Sequence, residues 1–191
     1  MSSHHIVREN QEPALVIFDA RAIPFEKVQE LLEWMPTIVV LHTQVEIVLS
    51  WGIKMDVVLV PASEETSWTE RTKDQQPIEV ISFQANEPPL NKTISLLQSR
   101  NIPAVNWLVK ELQTLTGLID FTGDAEVFVD NKRWSRVKSG RFEKWLPTGT
   151  ALYIFPEQAC SEIADGKFIV ERDGVVVLQG KQVFWVGEEV G

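Results

Sequence analysis

Ile38–Ser67, IVVLHTQVEIVLSWGIKMDVVLVPASEETS, decides how this chain reads. It begins within a buried strand at Thr37–Leu41, passes through a short amphipathic helix at Val45–Trp51 and stops at Gly52. A second buried strand follows at Asp56–Val60. Strands covered on both faces carry continuous apolar runs rather than alternation, so two such runs around a helix-period stretch predict parallel strands joined by a crossover. Ligands in parallel sheets sit beyond the carboxyl ends of the strands. The two places to seek chemistry are therefore His42-Thr43-Gln44 and Pro61-Ala62-Ser63-Glu64-Glu65.

Upstream, Ala14–Phe18 is a third buried strand ending at Asp19. Pro24 opens a helix that buries Phe25, Val28, Leu31, Leu32 and Met35 and that Pro36 ends. The resulting βαβαβ order has short, right-handed connections. Downstream, the polar stretch 61–77 reads as a long loop, Ile78–Phe83 as a strand and Lys92–Ser99 as a short helix. Ala104–Thr116 reads as a helix burying Val105, Leu108, Val109, Leu112 and Leu115, with Gly117 as its stop.

After Gly117 the pattern changes to short alternating stretches such as EVFVDNKRW and GVVVLQGKQVFWVG. These predict antiparallel strands, with hairpins at Asp130-Asn131 and Asp173-Gly174. The expected fold is an α/β N-terminal domain with a Rossmann-like parallel sheet over 13–118, then an antiparallel β-sandwich over 119–191. Residues 1–12, with His4 and His5, read as a flexible polar tail. Edge strands of the second half favour a homodimer.

Asp plus Glu number 27 against 18 Lys plus Arg, and a net charge of −9 repels phosphate backbones and anionic lipids. Neither a nucleic-acid partner nor a membrane partner is expected. Cys160 is alone, so it reads as a buried thiol rather than part of a disulfide or a cysteine metal site. The opening MSSHHIVRENQEP lacks the apolar core of a secretion signal, and no apolar run reaches the ~20 residues of a membrane span, so a cytoplasmic location is expected. The common phosphate-loop, dinucleotide and zinc-protease fingerprints are absent.

Gly52-Ile53-Lys54-Met55-Asp56-Val57-Val58-Leu59 is similar to the G-I-x-P-D-x-I-I stretch of thiamine pyrophosphokinases. PALVIFDARAIPFEKVQELLEWMPTIVVLH resembles that family's first strand, helix and second strand. AEVFVDNKRWSRVKSGRFEKWLPTGTALYIFPE resembles its D-x-x-N-x-I hairpin and the following strand ending in proline. The resemblance implies a thiamine pyrophosphokinase-like fold, a homodimer with clefts shared between subunits, and ATP-dependent pyrophosphoryl transfer to thiamine with Mg²⁺.

The departures bear on that activity. Phosphoryl transfer is positioning plus charge neutralisation, and the family's acidic residues hold Mg²⁺ on the ATP phosphates. Where the family has G-D-x-D-S, this chain has Val60-Pro61-Ala62-Ser63-Glu64. Where the family has D-G after the second strand, it has His42-Thr43, and D-K-T-D is reduced to Asn91-Lys92-Thr93-Ile94. Of the G-G-R-x-D-H stretch only Ser99-Arg100-Asn101-Ile102 remains, and Asn106 matches a helix asparagine beyond it. Catalysis is therefore expected to be weakened or lost. The alternatives are an active enzyme with replacement ligands, or a non-catalytic dimer that binds a ligand or serves as a scaffold.

The candidates on the nucleotide side are Asp19, His42, Thr43, Ser63, Asn91, Lys92 and Thr93. Asp19 suits a turn or cap as well as a ligand role, and His42 suits acid–base work but lacks an acidic neighbour in sequence. Glu64 and Glu65 are the carboxylates placed to replace lost metal ligands, although a charged pair in a polar loop is usually solvated. Trp134, Trp145 and Trp185 are candidates for the substrate side, where an aromatic face would stack on a cationic ring. Trp34, Trp51 and Trp107 read as helix residues of the core. Mg²⁺ and ATP are the cofactors if the activity is retained, and thiamine or a nucleotide the small-molecule partner.

Overall fold

The computed structural model describes residues 13–161, 163 and 165–191; the expected tail at 1–12, with His4 and His5, lies outside them. Ten strands form one continuous sheet, in the order β10-β9-β12-β7-β6-β5-β1-β2-β3-β4. Its parallel part comprises β1 (Ala14–Ile17), β2 (Thr37–Leu41), β3 (Val57–Pro61), β4 (Glu79–Phe83), β5 (Ala104–Leu108) and β6 (Asp124–Val129). The antiparallel part adds β7 (Lys132–Val137), β9 (Ala151–Phe155), β10 (Lys167–Ile169) and β12 (Phe184–Glu189). The sheet thus runs across residue 118 without a break. A separate pair, β8 (Arg141–Leu146) with β11 (Gly174–Gln179), makes a second small sheet.

The buried runs place alternate side chains on opposite faces, and each face receives its own cover. Leu15, Ile17, Val40, Val58 and Val60 pack against α1 (Phe25–Leu32), α2 (Val45–Ser50) and α3 (Glu65–Arg71) through Val28, Val48 and Trp68. Val16, Val39, Leu59, Trp107 and Val127 pack on the other face under α4 (Pro89–Ser99) and α5 (Thr114–Gly117), through Leu97 and Leu115. That second cluster runs on to Trp134 and Trp185, so one apolar layer links both halves. On the opposite face of the antiparallel part, Leu146 and Leu178 of the small sheet pack against Leu152, Ile154, Phe184 and Val186.

Several expectations are corrected. The helix expected over Ala104–Thr116 is β5, a turn and the four-residue α5. Val105, Leu108, Val109 and Leu112 have helical spacing, but the gap between β1 and β6 is filled only by an extended segment that bonds to both. The loop expected at 61–77 contains α3, anchored by buried Trp68 and by Thr72, whose hydroxyl donates to the Trp68 carbonyl at 2.8 Å. Asp173-Gly174 is not a hairpin, because β10 and β11 belong to different sheets; Asp173 instead accepts the backbone N–H and the hydroxyl of Thr148, each at 2.8 Å.

Of the helix tryptophans assigned to the core, Trp34 is 72% exposed and Trp107 is a fully buried strand residue. Met35 is also exposed, past the end of α1 in a left-handed conformation with φ 48°. Trp51 follows α2 and stacks on Phe25 at 5.0 Å between ring centroids. No helix among the described residues is long and apolar enough to cross a membrane.

Candidate functional site

The carboxyl ends of β2 and β3 bring together residues from both stretches singled out in the sequence. His42 follows β2 directly, and the short turn Ala62–Glu64 follows β3. His42 Nδ1 stands 3.8 Å from Glu64 Oε2, the oxygen that also accepts the Trp68 indole N–H at 3.0 Å. The imidazole meets the Trp68 ring edge-on at 6.1 Å and lies 6.4 Å from the Phe83 ring. Arg71 sits 4.0 Å above the Trp68 ring and pairs with Glu46 at 2.7 Å. His42 is thus a half-buried imidazole with a carboxylate on one side and aromatic rings around it. Glu64 is the acidic neighbour that local sequence lacks.

The remaining candidates on this rim have local roles. Asp19 Oδ1 accepts the Arg21 backbone N–H at 3.0 Å, closing the turn after β1. Thr43 Oγ1 accepts from Gln44 Nε2, while Gln44 Oε1 accepts the Ala20 N–H at 3.0 Å and ties the β1 and β2 ends together. Ser63 and Glu65 are exposed, with Glu65 opening α3. Asn91, Lys92 and Thr93 lie in the first half of α4, where Thr93 is fully buried and its hydroxyl donates to the Pro89 carbonyl at 2.8 Å. Asn106 lies on β5 rather than on a helix. Among the described residues, no three His, Cys, Asp or Glu side chains gather as a metal site.

A more voluminous cleft lies elsewhere among the described residues, on the sheet face beside α5. Its volume is about 760 Å³, within the range that holds a small ligand. Strand register builds its floor: Trp134, Gly187, Tyr153 and Lys167 are successive partners across β7, β12, β9 and β10. Gly187 is required there, because a Cβ would stand 2.8 Å from the Trp134 indole. Leu112, Thr116 and Ile119 form one wall, and Glu157 and Asp165 lie toward the other. Lys132 Nζ sits 4.7 Å and Lys167 Nζ 5.4 Å from the Tyr153 ring centroid, and the Tyr153 hydroxyl donates to Glu189 at 2.9 Å.

The structure separates the three tryptophan candidates. Trp134 is a nearly buried floor residue of the cleft, and its indole N–H has no acceptor among the described residues. Trp185 is fully buried beneath Arg136, whose guanidinium lies 5.8 Å from the ring. Arg136 donates to the carbonyls of Leu118, Ile119 and Gly123, and burial holds its pKa below the ordinary arginine value. Trp145 is 60% exposed on the outer face of the small sheet. Sequence reasoning missed Lys132, Tyr153 and Lys167. The alternation in KRWSRV and ALYIF shows which residues share a face, but not that the strands stand close enough to form one floor.

No protein-family model and no curated protein sequence matches the chain. Solved structures do. Thiamine pyrophosphokinase from Bacillus subtilis superposes with a TM-score of 0.62 at 7% identity, covering 94% of this chain and 98% of that one. Yeast thiamin pyrophosphokinase gives 0.67 at 7% identity, covering 97% of this chain and 88% of that one. The enzyme from Candida albicans gives 0.66 at 8% identity, covering 95% and 90%. At such identities the likeness concerns the backbone, and over nearly its whole length this chain has a thiamine pyrophosphokinase-like fold.

Proposed function

We propose that the chain is a thiamine pyrophosphokinase-like protein in which ATP-dependent pyrophosphoryl transfer to thiamine is weakened or lost, leaving a ligand-binding role. The observation that carries this reading is the rim at the ends of β2 and β3. His42-Thr43 and Pro61-Ala62-Ser63-Glu64 stand where the resemblance calls for aspartates. Mg²⁺ prefers hard oxygen ligands in near-octahedral geometry, and phosphoryl transfer depends on that charge. Of the nearby carboxylates, Glu64 is taken up by Trp68 and His42, Asp19 closes its own turn, and Glu65 stands exposed at the start of α3, by itself too few ligands for Mg²⁺.

In this reading residues 13–118 act as a Rossmann-like domain and 119–191 as a β-sandwich domain, in a cytoplasmic homodimer. Exposed Trp145, Val175 and Val177 on the outer face of the small sheet support association through that half. Sedimentation equilibrium tests the dimer. Isothermal titration with Mg-ATP and then thiamine, followed by an assay for thiamine diphosphate, tests the function. The expected result is saturable binding of one ligand with little or no turnover. Saturable binding of both ligands with product formation would establish an active enzyme and overturn the reading.

A further inference from the structure

The ten-stranded sheet ends on its α/β side in a strand whose outer edge is open. β4 pairs with β3 alone and takes the last place in the strand order. Its Glu79 N–H donates to the Asp56 carbonyl at 2.9 Å, toward β3. Main-chain groups alternate sides along an extended strand, so those of Val80 and Ser82 point the other way, off the sheet. Among the described residues nothing pairs with them. Sheet edges are usually guarded by a proline, a lysine, a bulge or sheer shortness. β10, at the far end, has three residues and begins with Lys167. β4 has five residues in unbroken register with β3, and its one charge, Glu79, is tied to Arg100.

α4 gives this edge a wall. Lys92, Ser95, Leu96 and Ser99, one stripe of that helix, face the outer edge of β4 across a groove of about 450 Å³. Ile81 and Leu96 belong to the apolar layer under α4, whereas Val80 packs on the opposite face. Arg100 follows Ser99 and bonds to Glu79, so α4 runs antiparallel to β4 and Lys92 lies at the Ser82 end. The helix rises ~10 Å from Lys92 to Ser99, the same as the ~10 Å of strand from Glu79 to Ser82. Among the described residues Lys92 has no carboxylate within salt-bridge distance. The groove therefore offers free main-chain groups, an apolar middle and one uncompensated ammonium at a known end.

We infer that the outer edge of β4 is a docking site for an extended peptide strand of a partner protein, with an acidic residue at the Lys92 end and an apolar residue two places on. Val80 and Ser82 exchange four main-chain hydrogen bonds with an antiparallel strand, the pairing by which open edges capture peptides. Side chains on the α4 face of that strand recur every ~7 Å, close to the ~6 Å of helix between Lys92 and Leu96, which sets the spacing. The inference does not rest on the function proposed above.

The test is isothermal titration of the full chain with the peptide acetyl-TETVTVT-amide. Saturable binding is expected, with the charge-reversed acetyl-TKTVTVT-amide about tenfold weaker, as attraction to Lys92 turns to repulsion. Methylating the main-chain nitrogens of the two central threonines, which face Ser82 and Val80, should abolish binding while leaving the protein itself unaltered. Ser82→Pro should abolish it too, because the outward N–H is lost; edge strands accept proline there, so the parent's circular dichroism should be kept. Lys92→Gln should weaken binding about threefold, the effect of one partly exposed ion pair, and remove most of the preference between the two peptides. Absence of saturable binding up to about 1 mM, equal affinity for the methylated peptide, or indifference to Ser82→Pro would each overturn the inference. So would a dimer of the parent chain that Ser82→Pro dissociates in sedimentation, since the edge would then belong to a second copy.

Discussion

Glu64 and His42 stand 3.8 Å apart at the ends of adjacent parallel strands, and the carboxylate oxygen nearest the imidazole also accepts the Trp68 indole N–H. One side chain therefore joins a half-buried histidine to the residue that anchors α3. Trp68 is only 6% exposed, so removing its acceptor leaves a buried donor unpaired. Glu64→Ala should destabilise the protein by about 1 kcal/mol, while Glu64→Gln, which keeps an acceptor oxygen, should cost much less. Urea unfolding measures both. Equal losses would mean that the charge facing His42 matters and the acceptor does not.

Gly187 lies between Trp134 and Tyr153 in strand register, with no room for a side chain beneath the indole. Gly187→Ala should force the ring up into the cleft and cost about 1–3 kcal/mol, the usual range for overpacking. A lower denaturation midpoint, with altered near-ultraviolet dichroism from Trp134, is the expected outcome. An unchanged midpoint would show that the strand yields instead.

Arg136 fastens the segment after α5 to β7 through three backbone carbonyls, those of Leu118, Ile119 and Gly123. Arg136→Ala should destabilise by about 2–3 kcal/mol, since buried acceptors lose a charged donor. Arg136→Lys should recover only part of this, because an ammonium lacks the planar fork that reaches several acceptors at once. Comparable stability of the alanine and lysine variants would indicate that packing over Trp185 is the larger contribution.

Two exposed aspartates give the acid limb of stability a definite sign. Hydrogen bonding and charge from Lys138 hold Asp124 below the ordinary aspartate value, and hydrogen bonds from the Thr148 backbone and hydroxyl do the same for Asp173. A carboxyl depressed in the folded state stabilises above its unfolded pKa and loses that contribution as pH falls through the folded value. Stability should therefore decline below about pH 4. Asp124→Asn with Asp173→Asn should flatten that decline, as read from melting temperatures at stepped pH. A double variant with the parent's slope would assign the acid sensitivity to other groups.

Much of the fold is legible because some residues leave few options. Short apolar runs such as Ala14–Ile17 and Ile38–Leu41, too short for a buried helix and closed by turn residues, read as strands covered on both faces. Gly52, at φ 72°, ends its helix where only a left-handed conformation turns the chain, and Asp130 and Asn131, both left-handed, make the expected hairpin. Ala104–Thr116 misleads because its five apolar residues have helical spacing; bonding of Ala104–Leu108 to β1 and β6 on either side makes that part a strand. The polar segment after Pro61 hides a helix because its single buried tryptophan gives no period to read.

The sequence alone determines which residues end the strands, and hence His42, Ser63 and Glu64 as rim residues. It also determines which side chains share a face of β7 and β9. Tertiary structure alone decides that Glu64 meets His42, and that Trp134, Tyr153, Lys132 and Lys167 share one floor. The physical reason is register. A strand's own alternation fixes its two faces, but which residues stand opposite one another depends on pairing between segments far apart in the chain.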